Sequence, residues 1–249
     1  MGSRVEVHPG LRGRVPDDFA SWNGLEGAPV ALSRTTRTDH VMCAGLDIHL
    51  KRARLPLGTA LGAVFRNSFL GRSRAEREYR ALLALPPDLA PAPVAFGERR
   101  QSGLLRESFL ATLTVPGAQP LSVHHLAGRD STERLGRFLG RLRATGLLHG
   151  SLFARNVLAL PDGGFRVLDL DRARIRPGGS PWCREFARDL ARLDASLPGL
   201  SCARRLRVLR SIPAEPGDDS DCRRRIAEVL AHRGEALRRL ARRVPRDRR

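Results

Sequence analysis

The sequence predicts an α+β fold in two lobes, a small antiparallel-sheet N-lobe with one helix and a larger helical C-lobe. Short runs with two-residue alternation, DHVMC and LDIHLKRAR among them, dominate residues 28–115. Apolar residues at three- and four-residue spacing dominate residues 116–249. Between them VPGAQPLS (Val115 to Ser122) concentrates turn formers and is the candidate hinge. A chain of 249 residues, 41% of them hydrophobic, is long enough for two such lobes around a real core.

Residues 1–27 carry Gly, Pro and charge in no clear period and are expected to form an irregular N-terminal extension. From Val30 to Arg54 the pattern is strand, turn, strand, with the turn at Ala44-Gly45. In DIHLKRA, Ile48 and Leu50 share one face while His49 and Lys51 share the other, so Lys51 points away from the packing side. Ser73-Arg-Ala-Glu76 has the spacing of a capping box, and the helix after it, REYRALLAL, ends before Pro86-Pro87. PAPVAFGERR and LLRESFLATLTV are the next strands, with Gly103 near their turn. In the second lobe, Asp130 and Glu133 have capping-box spacing ahead of a stripe of Leu135, Phe138, Leu139 and Leu142. Gly146 is placed to end that helix. Three further helical segments close the chain, the last an arginine-rich one keeping Ile226, Leu230, Leu237, Leu240 and Val244 for packing.

The net charge of +18 calls for an anionic partner, or else reflects a solvated surface filled with arginine. Aromatics at 5%, with a single tyrosine, are meagre for stacking single strands, so a nucleic-acid partner is not expected. The N-terminal stretch lacks the apolar core of a signal peptide, and no run approaches 18 apolar residues. Cys43, Cys183, Cys202 and Cys222 are scattered without a CxxC, which indicates neither zinc nor a disulfide framework. A reduced cytoplasmic protein is the expectation.

The chemistry concentrates in LLHGSLFARNVLALPDGGFRVLDLD, residues 147–171. Asn156 and Asp169 offer two oxygen ligands suited to magnesium. A turn at Asp162-Gly163-Gly164 would fold the segment back as a hairpin and bring those two residues to one end. Upstream, Lys51 is the single lysine among 44 basic residues. A strand lysine that holds nucleotide phosphates, positioned by a glutamate from the neighbouring helix, is the arrangement of kinase folds. Glu78 fits that glutamate, and Glu76 is assigned to the helix cap.

On these segments the chain resembles the bacterial lipopolysaccharide kinases, the Kdo and core-heptose kinases, whose fold is protein-kinase-like. The resemblance covers roughly residues 30 to 240 and rests on the order of LKRAR, SRAEREYRALLAL, PAPVAFGE, ESFLATLTVPGAQPL, HGSLFARNVL, VLDLDRAR and RDLARLDASL. It implies ATP and magnesium as cofactors, with Lys51 and Glu78 at the nucleotide and Asn156 and Asp169 at the metal. It implies as acceptor a sugar hydroxyl of an anionic lipid A–core glycolipid, reached from the cytosolic face of the inner membrane. His149 would brace the loop, and Asp189 would anchor it from below. Ser151 stands where the family pattern has aspartate, and Asp171 is the nearby carboxylate that could substitute. Two readings therefore stand: an ATP-dependent phosphotransferase, or an impaired pseudokinase acting as a nucleotide- or membrane-binding module. Oligomeric state is not legible.

Overall fold

In a computed structural model, which describes residues 2–33, 35–54, 72–176, 184–213 and 221–241, the chain separates into two units, Met1–Pro116 and Gly117–Arg249. The first holds strands β1 (Gly2–Val7), β2 (Ala28–Leu32), β3 (Thr36–Cys43), β4 (Leu46–Arg54), β5 (Pro93–Gln101) and β6 (Leu104–Leu113). They form one sheet in the order β1-β5-β6-β4-β3-β2, every neighbouring pair antiparallel. Two tight hairpins fix its register. Ala44 and Gly45 both take positive φ, 51° and 74°, as do Ser102 and Gly103, 50° and 77°. This is the turn whose twist matches paired strands.

Helix α1 (Phe19–Gly24) and helix α2 (Arg74–Leu83) belong to this unit. One face of the sheet, with Ile48, Leu50 and Phe109, packs with Phe19 and Trp22 of α1. The opposite face pairs Lys51 with Leu110 and Leu110 with Phe96, whose ring lies 4.9 Å from Tyr79 of α2. Ile48 and Leu50 are fully buried, as their alternation requires.

The irregular extension expected over residues 1–27 is not what the chain forms. Residues 2–7 pair along β5, from Gly2 opposite Arg100 to Val7 opposite Ala95. Asp18 caps α1 by accepting from the Ser21 amide at 2.8 Å. Trp22 is completely buried, its ring 5.3 Å from Phe109 and its indole N–H donating to the Pro16 carbonyl at 2.7 Å. The pattern is hidden because β1 buries Val7 alone and takes its strand identity from a partner some ninety residues away.

The second unit contains α3 (Arg129–Ala144), α4 (Arg184–Ala195), α5 (Cys202–Arg210) and α6 (Asp221–Ala241). Its strands are short. β7 (Gln119–Pro120), β9 (Val157–Ala159) and β10 (Phe165–Val167) form one sheet, while β8 (Leu147–Leu148) pairs with β11 (Arg174–Ile175). Leu135, Phe138, Leu139 and Leu142 of α3 are buried as a stripe. Gly136 lets α5 approach, since a Cβ there would stand 2.5 Å from the Val208 carbonyl oxygen. Gly146 ends α3 at φ +77°, its amide donating to the Arg143 carbonyl at 2.8 Å.

Two local expectations need correcting. The cap of α3 is Gly128 rather than Asp130, and Glu133 pairs with Arg129 at 2.8 Å instead of reaching back to a cap. An i,i+4 arginine outcompetes the backbone amide for that carboxylate. In α6, Val229 and Ala236 are buried while Leu230 and Leu237 are exposed. The packing face is set by Arg233, which pairs with Asp194 of α4 at 2.8 Å. The side chains of Leu240, Val244, Cys183 and Cys222 lie outside the described residues, as does the segment 55–71 that follows Lys51. Among the described residues no helix is long and apolar enough to cross a membrane.

Trp22→Ala is expected to lower the unfolding free energy by about 3–5 kcal/mol, read by urea denaturation. A loss under about 1 kcal/mol would mean that the N-terminal segment is not part of the first unit's core.

Candidate functional site

Two clusters hold the side chains singled out by the sequence, one in each unit. In the first, Lys51 stands on β4 opposite the packed face of Ile48 and Leu50, and its Nζ donates to Glu78 Oε2 at 3.0 Å. Glu78 is buried, and it comes from α2, which Ser73 caps by accepting from the Glu76 amide at 3.0 Å. Glu76 follows the cap, but its carboxylate faces Arg72, Arg4 and Arg80 at 3.7, 3.8 and 3.9 Å. Two residues along a helix turn the direction by about 200°, so Glu78 reaches Lys51 where Glu76 does not. Beside Lys51, burial holds the His49 imidazole below its usual pKa, with the neighbouring His40 adding to the effect. On α2, burial pushes the Tyr79 hydroxyl up to about 12.

In the second unit the loop from His149 to Asn156 is fixed at every backbone turn. His149 Nε2 donates to the Leu168 carbonyl at 2.9 Å, while its Nδ1 is buried without a partner among the described residues. Gly150 takes φ +71° and donates its amide to Asp189 Oδ2 at 2.9 Å. A Cβ at that glycine would lie 3.0 Å from the Arg172 carbonyl oxygen. Asp189 is itself buried in α4, its other oxygen accepting from Arg192 at 2.7 Å. The Ala154 amide donates to Ser196 Oγ at 2.8 Å. Asn156 turns its Nδ2 to the Ser151 carbonyl at 2.9 Å, so its Oδ1 points elsewhere, without a partner among the described residues.

The hairpin brings its ends together. Val157 pairs with Val167, and the Leu168 amide donates to the Asn156 carbonyl at 2.8 Å. Asp169, the next residue, adopts a left-handed backbone at φ 59°, ψ 56°. A non-glycine residue there is strained, and such strain gathers at functional positions. Asp171 follows on the 3₁₀ turn Leu170–Arg172, half-buried. Thus Lys51 meets Glu78, Asn156 meets the Ser151 backbone, and His149 braces the residue before Asp169. Among the described residues no three His, Cys, Asp or Glu side chains converge as a metal-binding group.

Sequence reasoning missed Arg192 and Ser196, which fasten the loop to α4 and the turn after it. Their i,i+3 and i,i+7 spacing from Asp189 was the available signal. It also missed an Arg37–Asp39–Arg52 triad on the face of the first sheet opposite Lys51. There the signal was charge alternating with apolar residues along β3 and β4.

Residues 20–211 match the model of the lipopolysaccharide kinase (Kdo/WaaP) family. Among curated proteins the chain is 31% identical over 135 residues to a 3-deoxy-D-manno-octulosonic acid kinase of Xylella fastidiosa (strain M12), covering 51% of each chain. It is 34% identical over 131 residues to the enzyme of the same name from Stenotrophomonas maltophilia (strain R551-3), again covering 51% of each. The chain therefore spans about half the length of the curated relatives it matches. Among solved structures, WaaP in complex with acyl carrier protein superposes with a TM-score of 0.66 at 22% identity, over 94% of this chain and 98% of that one. That likeness extends the two-lobed α+β fold to nearly the whole chain.

Asp189→Ala is expected to cost about 1–3 kcal/mol of stability, because it leaves a half-buried Arg192 and the Gly150 amide without their acceptor. Hydrogen exchange at the Gly150 amide should accelerate with it; an amide that stays protected would show that the carboxylate does not hold the loop.

Proposed function

We propose that this chain, which belongs to the lipopolysaccharide kinase (Kdo/WaaP) family, is an ATP-dependent phosphotransferase acting on a sugar hydroxyl of an anionic, lipopolysaccharide-type glycolipid. The observation that carries the reading is the 3.0 Å pair between the only lysine and a buried glutamate of the helix beside it. An ammonium so placed is a point charge for nucleotide phosphates, and Glu78 sets its direction. Asn156 and Asp169 suit magnesium, which is held by one or two protein oxygens together with substrate phosphates. Magnesium-bound ATP supplies the phosphoryl group. The amide oxygen of Asn156 is left for the metal because the amide nitrogen is spent on Ser151, and Asp169 stands on a strained backbone just past the end of β10.

His149 acts as a brace: its Nε2 proton is committed to a carbonyl and its Nδ1 is sealed from water. Ser151 occupies the acceptor-facing position of the loop. A serine hydroxyl can orient an acceptor hydroxyl but is a poor base at neutral pH. General base catalysis is worth about 10²- to 10⁴-fold, whereas positioning and charge stabilisation supply most of this reaction. Slow transfer is the expected state of the wild-type chain. The observation favouring a second reading, a nucleotide-binding module without turnover, is that same serine. The acceptor lies at the cytosolic face of the inner membrane, so the chain works there as a peripheral protein.

A thermal-shift titration with ATP and magnesium tests the nucleotide site first. At one hundred times the dissociation constant the stabilisation should be about 2.7 kcal/mol, and Lys51→Ala and Asp169→Ala should both lose it. No rise in the wild type at millimolar nucleotide sinks both readings. Ser151→Asp is expected to raise kcat by about 10²- to 10⁴-fold with the KM for ATP unchanged. A kcat that stays at the wild-type level would move acceptor deprotonation to another group, with Asp171 the next to substitute.

A further inference from the structure

The face of the first sheet opposite Lys51 carries a second concavity with its own chemistry. It has a volume of about 620 Å³ and lies between the segment after α1 and the turn joining β2 to β3. Three of its lining residues are arginines, Arg37, Arg52 and Arg54, against a single carboxylate, Glu26. Ser33, Thr35 and Thr36 add hydroxyl groups. Three guanidinium groups against one lining carboxylate give the cleft an excess of positive charge that favours an anion.

The three arginines divide their work. Arg52 is the fixed floor: one terminal nitrogen donates to Asp39 Oδ2 at 2.6 Å, and the other donates to the Trp22 carbonyl at 3.2 Å and to that of Leu25. Asp39 is wholly buried, and its second oxygen accepts from Arg37 Nε at 2.6 Å. Arg37 thereby keeps two terminal nitrogens without a partner among the described residues. Arg54 spends only its Nε, on Glu107 at 3.3 Å, and is otherwise largely exposed. One buried carboxylate thus pins two guanidinium groups in place and leaves a fork open. Burial also depresses the Arg52 guanidinium below its usual pKa, against the pull of Asp39, and a nearby anion would relieve that.

The ligand class follows from the lining. Guanidinium forks match the oxygens of a phosphoryl group two at a time, and the hydroxyls can serve a third oxygen. Among the described residues no aromatic side chain lines the cavity, so those residues offer no stacking surface to a nucleobase. Leu25 and Leu32 do line it, and Leu32 is strongly exposed. An apolar rim beside a basic floor suits a phosphate borne by a lipid.

We propose that this pocket binds the phosphomonoester group of an anionic lipid, separately from the nucleotide site around Lys51. The pocket and Lys51 occupy opposite faces of β4, since Arg52 and Arg54 alternate with Lys51 along the strand. Binding here stands or falls independently of phosphoryl transfer.

The test is co-sedimentation with phosphatidylcholine vesicles with and without phosphatidic acid, and calorimetric titration with inorganic phosphate. Arg37→Gln/Arg54→Gln should weaken binding to the phosphatidic acid vesicles by at least about tenfold, the loss expected for two charge-assisted contacts. Arg54→Gln alone, at an exposed position with little effect on folding, should move in the same direction. Arg137→Gln/Arg238→Gln removes the same charge from exposed sites of the second unit and should change binding by less than about twofold. Lys51→Ala should bind vesicles like the wild type. Equal losses in the two double variants would reduce the effect to bulk charge and overturn the proposal, as would a loss in Lys51→Ala. Inorganic phosphate binding that disappears in Arg37→Gln/Arg54→Gln, with vesicle binding untouched, would keep the pocket but overturn a lipid as the source.

Discussion

A carboxylate sealed from water holds the catalytic-type loop in its shape. Burying a charge is costly unless hydrogen bonds and a counter-charge replace its hydration. Asp189 has both, the Gly150 amide on one oxygen and Arg192 on the other. The Gly150 contact draws the loop onto α4 and forces φ +71° at that residue, a conformation a side chain would resist with the Arg172 carbonyl so near. From there the closures follow in sequence. His149 reaches the Leu168 carbonyl, the Leu168 amide reaches the Asn156 carbonyl, and the Asn156 side chain returns to Ser151.

That circuit bears on the odd residue within it. Position 151 takes part in the circuit through its backbone carbonyl, which accepts from Asn156 Nδ2. A change from carboxylate to hydroxyl therefore alters what the loop offers an acceptor without loosening the loop.

Much of this was legible because it is local. Hairpin turns at Ala44-Gly45 and Ser102-Gly103, the Ser73 cap and the α3 stripe are each written within a dozen residues. The Lys51–Glu78 pair was legible because alternation fixed which way the lysine points, and helical spacing put a glutamate on the facing side. What the sequence concealed depends on distant partners. β1 has a single buried residue and becomes a strand only against β5. The packing face of α6 is chosen by an ion pair with Asp194, and hydrophobicity alone picked Leu230 and Leu237 instead. The triad around the buried Asp39 needed the Trp22 and Leu25 carbonyls, which no strand pattern announces.

Part of the excess of arginine is structural. Several guanidinium groups tie loop carbonyls together. Arg205 donates to Leu200 and Leu197 at 2.7 and 3.1 Å, and Arg143 to Pro213 at 3.0 Å. A five-donor planar fork does this well, and an ammonium cannot span such a set. The same argument run backwards accounts for the one lysine. At position 51 a guanidinium facing Glu78 would form the bidentate pair that carboxylate and fork favour, and its direction would be spent on the glutamate. An ammonium is steered by Glu78 yet stays a compact point charge, which is what the proposed nucleotide site asks of it. A sequence that uses arginine for its scaffolding keeps its one lysine beside Glu78, where the proposed function asks for a point charge rather than a planar fork.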